Sequence, residues 1–391
     1  MQSTTVYRKK GFYVMILVLI VIMQLSVFAD ITIKKRQNIS LKNEIQHAIQ
    51  KGLTWLKENQ NTEGYWSQKE YPALTALVLY AFMSDPEQRY TLENSEFIKS
   101  GYDYLISCVQ DDGGIYVNDL STYNTAVSIM ALVTAGSSRY KDIILQARNY
   151  LVSLQSDYNQ QGVNDSQFNG GIGYGSRYEH SDMSNTVLAM EAIHYTKFLK
   201  QDHPELKELD FESAIQFMQR CQNLPEYNDQ PWATGDSLNK GGFVYFPGNS
   251  KAGEMELASG KKTLRSYGSM SYAGLLSYIY ADLEVTDPRV QAVYDWLRQN
   301  YTLAENPGMG KQGLFYYYHT MAKALNIIDK DKIELSNGEK IDWKKELTLQ
   351  LFNLQNGEGY WMNENGRWWE KDPVLVTSYV LIALEILYQS M

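Results

Sequence analysis

Six times along the chain an amphipathic segment ends on a glutamine, or once on a tyrosine in its place, and runs into a loop of glycine and aromatic residues. The first copy is the sharpest: Lys51-Gly52-Leu53-Thr54-Trp55-Leu56-Lys57-Glu58-Asn59-Gln60, then Asn61-Thr62-Glu63-Gly64-Tyr65-Trp66. Looser copies centre on Gln110, Gln155, Gln222, Tyr301 and Gln355. One supersecondary unit repeated in this way cannot bury its apolar face alone, so the copies must stack on one another.

Each copy pairs two helices of different character. Before the glutamine, Ile45, Ile49, Leu53 and Leu56 form one stripe, with Gln46, Gln50 and Lys57 off it, so one side of that helix faces solvent. After the loop the residues are apolar nearly all round, as in Ala73 to Phe82 and Val374 to Leu387, which requires burial on every side. The inner segments are predicted at about 72–83, 122–135, 184–199, 268–281, 314–327 and 373–389. Six such hairpins predict an all-α fold, an (α/α)6 toroid with inner and outer helix rings. An open solenoid would need polar capping repeats, and the last inner segment is among the most apolar.

Over residues 45–391 these copies resemble the QW repeat of terpenoid cyclases and of protein prenyltransferase β subunits. Copy one fits that motif throughout, and Gln355-Asn356-Gly357-Glu358-Gly359-Tyr360-Trp361 fits its second half. The resemblance implies an α/α toroid in which glutamine and aromatic ring are structural clamps, and it suggests an isoprenoid ligand in the central cavity. It does not carry over a catalytic motif. The nearest string to an Asp-x-Asp-Asp acid is Val109-Gln110-Asp111-Asp112, which lacks the first aspartate. Prenyltransferases hold zinc with Asp, Cys and His, but Cys108 and Cys221 both fall on the tails of outer helices. No metal and no cofactor is expected.

The N-terminus carries Arg8, Lys9 and Lys10, an apolar run from Phe12 to Val27, and Val27-Phe28-Ala29. Residues 1–29 read as a signal peptide, with a retained signal anchor as the rival because the run is near the length of a membrane span. Residues 30–44 follow as a linker, and 45–391 as the toroid domain. Export to the outside of the cell or to a periplasm is expected, with membrane contact through the N-terminal segment in the anchored case. The net charge of −9 becomes −12 when those three cations are removed, which argues against nucleic acid as a partner. Two cysteines are too few for a disulfide framework. Oligomeric state leaves no mark in the sequence.

Topology indicates where a site belongs. Every glycine-rich connection leads from an outer to an inner helix, so all six lie at one mouth, where six helix N-termini gather partial positive charge. Two connections, 156–181 and 225–266, are much longer than the rest and are expected to form a folded rim. They hold Trp232 and Tyr174, and with them most of the basic residues near the mouth. Arg177 and Arg265 are the favoured anion ligands, since guanidinium forks fit phosphate, sulfate or carboxylate.

Candidate acids and bases stand at inner-helix entries: Asp182, His319 and Asp372, with Tyr267, Tyr316, Tyr317 and Tyr318 around the histidine. Asp182 and Asp372 also have the position of helix N-caps, and Asp372 precedes a proline. His319 also fits a satisfied core histidine. The resemblance favours a lipid-like isoprenoid ligand, with Asp182, His319 or Asp372 as acid or base and Arg265 at an anionic head. The alternatives are an exported lyase on an anionic glycan, using Arg265 or Arg177 and a Tyr or His base, and a noncatalytic binding protein.

Overall fold

A computed structural model describes residues 38–157, 166–175 and 180–391. Residues 1–29, expected to be a signal peptide, Arg177 and the middle of the 156–181 connection lie outside the described residues. The chain divides into two compact units, 1–47 with Met391, and 48–390. Of the first, the described residues 38–47 are helical.

Within the second unit the helices alternate between two layers. The inner helices are α2 (Pro72–Ser84), α4 (Ser121–Thr134), α6 (Met183–Tyr195), α8 (Gly268–Tyr280), α10 (Leu314–Ile327) and α12 (Pro373–Ser390). Each packs on the next around a ring, and α12 closes it against α2. The outer helices are α1 (48–58), α3 (Glu96–Ser107), α5 (Lys141–Ser153), α7 (Phe211–Cys221), α9 (Pro288–Gln299) and α11 (Trp343–Asn353). The ring is therefore a closed (α/α)6 toroid. α12 is long and apolar enough to cross a membrane, but 72% of it is buried inside the fold, as an inner helix requires.

Hydrogen bonds show how the repeated glutamines hold neighbouring hairpins. The Gln155 Nε2 donates to Gly170 O of its own loop and to Asp210 O at the start of the next outer helix, both at 2.9 Å. Gln222 bridges Gly241 O and Arg289 O in the same way, at 3.0 and 2.9 Å. Gln60 reaches Gly64 O and Phe97 O, and Gln355 joins Gly359 O to Ala48 O. The loop glycine is needed because it lies directly on the next outer helix. A Cβ on Gly170 (φ +83°) would stand 2.0 Å from Ser213 O, and one on Gly241 (φ +91°) 2.1 Å from Ala292 O.

A second recurring device is absent from the sequence reading. A hydroxyl in the first turn and a half of the inner helix (Thr75, Thr125, Thr186, Ser271 or Thr377) accepts the backbone N–H of Trp66, Ile115, Ile172, Phe243 or Trp361 at 2.9–3.0 Å. It ties each of these five loops to the helix that follows, satisfying a buried donor. Two short hairpins, β1–β2 (Glu254–Glu256 with Lys262–Leu264) and β3–β4 (Ile333–Glu334 with Lys340–Ile341), decorate the rings. The predicted inner segment 184–199 is shorter as a helix. It ends at Tyr195, and Lys197–Gln201 continues as a tighter 3-10 turn.

Candidate functional site

The N-terminal ends of the inner helices surround a cavity of about 450 Å³. All six contribute: Tyr71 from the N-cap of α2, Leu120 and Tyr123 from α4, Ser184 from α6, Tyr267 and Met270 from α8, Tyr316 from α10, and Leu375 and Tyr379 from α12. Tyr174 and Tyr245 enter from the two long connections, and Trp368 and Trp369 from the segment before α12. Nine of the lining side chains are tyrosine or tryptophan. Rings in this number provide apolar area together with electron-rich faces that attract cationic centres.

One carboxyl group belongs to this wall and a second lies just behind it. Glu370, which the sequence reading passed over, lines the cavity and is 1% exposed. Its Oε1 accepts the backbone N–H of Tyr316 at 2.8 Å and its Oε2 accepts from Asn363 Nδ2 at 2.6 Å. It thereby caps α10 from another element, because the N-cap position itself is Gly313 in the left-handed region. Burial nevertheless raises its pKa above the usual carboxylate range, against those hydrogen bonds. Asp182 is fully buried behind Asn185, whose N–H and Nδ2 donate to its two oxygens at 3.0 and 2.8 Å. It is the N-cap of α6. Burial pushes its pKa up to about 6, and hydrogen bonds from Asn185, Ser184 and Tyr245 offset part of that rise.

The floor of the cavity consists of Tyr123, Leu188, Tyr316 and Tyr379, and the same four residues roof a smaller chamber of about 40 Å³. His319 lines that lower chamber, not the mouth. Its Nδ1 faces Tyr379 O at 3.3 Å, and burial and the Lys323 charge hold its pKa well below the ordinary value, so the ring is neutral.

The run Tyr316–His319 separates by direction, as helical geometry dictates. Tyr316 faces the cavity. Tyr317 packs on Tyr272 and donates to Thr302 O, and Tyr318 donates to Leu303 O, so both turn toward the outer layer. Tyr267 lines the cavity. Asp372 does not: it accepts from Val374 N at 2.9 Å and from the Ser67 hydroxyl, as a helix cap. Arg265 is exposed beside the β1–β2 hairpin, its Nε bonded to Glu254 O at 3.3 Å, and Trp232 also lies away from the lining.

Among the described residues, the lysine or arginine that lines the cavity is Lys251, whose ammonium sits 4.4 Å from the Tyr245 ring centre. Burial and the nearby Arg367 lower its pKa. Trp368 and Trp369 are 43% and 39% exposed and both have left-handed backbone, φ 54° and 65°. Two consecutive bulky residues in that region are strained, and the strain lies at the cavity edge, where Trp369 meets Tyr71 edge-on at 4.4 Å. No sequence pattern announces it.

Among the described residues, no group of three or more His, Cys, Asp and Glu side chains is placed to hold a metal. Cys108 and Cys221 are buried and free, and burial raises both thiol pKa values.

No protein-family model matches the chain, and no curated protein sequence does. Solved structures do match. The type II terpene cyclase MstE from Scytonema, without ligand, aligns over 90% of this chain and 99% of its own at TM-score 0.53 and 11% identity. A variant of it in complex with its substrate, geranylgeranyl dihydroxybenzoate, aligns over the same shares at TM-score 0.52 and 12% identity. An inactive variant of an alpha-1,6-mannanase of Salegentibacter sp. HEL1_6, in complex with alpha-1,6-mannotriose, covers 90% of this chain and 100% of its own at TM-score 0.56 and 11% identity. At such identities the likeness is one of fold, and the chain has the fold of a terpenoid cyclase-like α/α toroid.

Proposed function

We propose that the chain holds an isoprenoid ligand in the aromatic cavity and acts on it by proton transfer, in the manner of a terpenoid cyclase-like protein. The observation that carries this reading is the wall itself: nine tyrosine and tryptophan side chains with a buried, raised-pKa carboxyl group, Glu370, among them. In its protonated form Glu370 would add a proton to one alkene carbon. Ring faces of Tyr267, Tyr316 and Tyr379 would hold the resulting cation, and loss of a proton from a neighbouring carbon would return an isomer of the substrate. Asp182, one layer behind, would be the second proton-holding group. Solved toroids of similar fold that carry a prenylated ligand support the ligand class.

The test is incubation of purified protein with geranylgeraniol and mass-spectrometric search for a product of unchanged mass and altered retention. Turnover that survives Glu370→Gln would remove the assigned acid. Absence of both binding and turnover would remove the isoprenoid reading.

A glycan is the second reading, favoured by one observation: Trp368 and Trp369 offer half-exposed faces at the mouth, the usual platform for a sugar ring. Titration with a uronate oligosaccharide separates the two. We also place the toroid outside the cytoplasm, on the strength of the basic flank and apolar run at the N-terminus. Cell fractionation, with the mass of the mature chain, tests that placement and shows whether the leader is cleaved.

A further inference from the structure

The chamber beneath the cavity contains something a fold-only core does not need. Lys323 on α10 and Glu191 on α6 form an ion pair there, with side chains only 9% and 4% exposed. The rest of the lining is largely apolar, for example Leu77, Met130 and Leu276. Burying two charges costs several kcal/mol per ion before their attraction is counted, and an apolar pair of similar volume is commonly as stable or more so. Neither residue caps a helix, so the pair is not explained by the backbone.

We propose that this chamber is a terminal subsite that receives the polar end, a hydroxyl or carbonyl group, of an elongated apolar ligand whose body lies in the cavity above. The inference rests on the isoprenoid reading and adds to it the chemistry of the ligand's far end. The two spaces share Tyr123, Leu188, Tyr316 and Tyr379 as walls, so a ligand lying along the axis meets the chamber next. A volume of about 40 Å³ is too small for a whole ligand, but it suits a terminal group of a few heavy atoms or the one or two waters such a group would displace.

The chamber also offers both halves of a hydrogen-bond pair. The Lys323 ammonium donates. With His319 Nδ1 directed at the Tyr379 carbonyl, the neutral ring keeps Nε2 as an acceptor, and among the described residues that nitrogen has no partner.

The test compares geranylgeraniol with its ω-hydroxylated diol by titration calorimetry. The wild type is expected to bind the diol about tenfold more tightly, the size of one hydrogen bond to a charged group. In E191L/K323M that preference disappears while geranylgeraniol affinity is kept. Should that variant melt below the wild type, E191Q/K323M keeps the bulk of both side chains and removes the charges and the Lys323 donor, with the same loss expected. Equal affinity of the wild type for both alcohols, or a preference that survives in the variants, overturns the subsite and leaves the isoprenoid reading standing. Binding of neither alcohol overturns both.

Discussion

The hydroxyls of Tyr123 on α4 and Tyr379 on α12 meet at 3.1 Å, and the two side chains together separate the cavity from the chamber below. Each hydroxyl is the other's partner in a buried setting, so removing one leaves its mate unsatisfied. Tyr123→Phe is expected to cost about 1 kcal/mol, and Tyr379→Phe about the same. The double variant should cost less than the sum, because no orphan remains. Urea unfolding of the four proteins measures the coupling, and strict additivity would show that the contact does not form.

The clamp glutamines should be unequal in spite of equal sequence rank. Gln222 is fully buried, donates to Gly241 O and Arg289 O, and accepts the Tyr278 hydroxyl at 2.8 Å. Gln110 reaches only Cys108 O and Tyr116 O of its own hairpin. Gln222→Ala should cost about 3 kcal/mol and Gln110→Ala about 2 kcal/mol, three hydrogen bonds against two at roughly 1 kcal/mol each. The difference is read from unfolding midpoints at constant m.

Asp182 sets a pH dependence with a defined sign. Its pKa rises from 3.8 to about 6 on folding, so the folded state binds the proton more tightly than the unfolded one. The contribution is fully present below pH 4, is lost as pH rises through 4 to 6, and is constant above; the shift corresponds to roughly 3 kcal/mol. Glu370 shifts in the same direction, so the measurement is the difference between the wild type and Asp182→Asn. That difference should change across pH 4 to 6 and be flat from 6.5 to 8.

Trp368 and Trp369 should trade stability against binding. Trp368→Gly relieves a left-handed backbone that a bulky side chain adopts at a cost of about 1 kcal/mol or more, so melting temperature should hold or rise. The same change removes a ring from the cavity wall, and ligand affinity should fall about tenfold. A variant that melts lower and binds equally well would show that the ring serves packing alone.

The architecture was legible because burial all round a helix is written in consecutive residues. Pro72–Ser84 and Pro373–Ser390 lie within two residues of their predicted bounds. The mouth was legible too, from the order of outer and inner helices. Which side chains face it was not, because each step along a helix turns by about 100°: Tyr316 reaches the cavity while its neighbours Tyr317 and Tyr318 face the outer layer. Glu370 escaped notice, and Lys251 did not stand out among the other basic residues of its long connection, for a different reason. They sit on connections whose path is set by tertiary contacts, such as the grip of Asn363 on Glu370 and Lys311 O, and no local periodicity encodes those.

Closure of the ring has a consequence for how the chain acquires its shape. Gln355 bonds to Ala48 O across 307 residues, and α12 seals against α2. Contacts so distant in sequence form late, since the long intervening segment must first be brought to order. During synthesis, α2 and α10 therefore wait with bare apolar flanks until residues 373–390 emerge. A chain stopped short of them would leave both flanks uncovered together, an invitation to self-association.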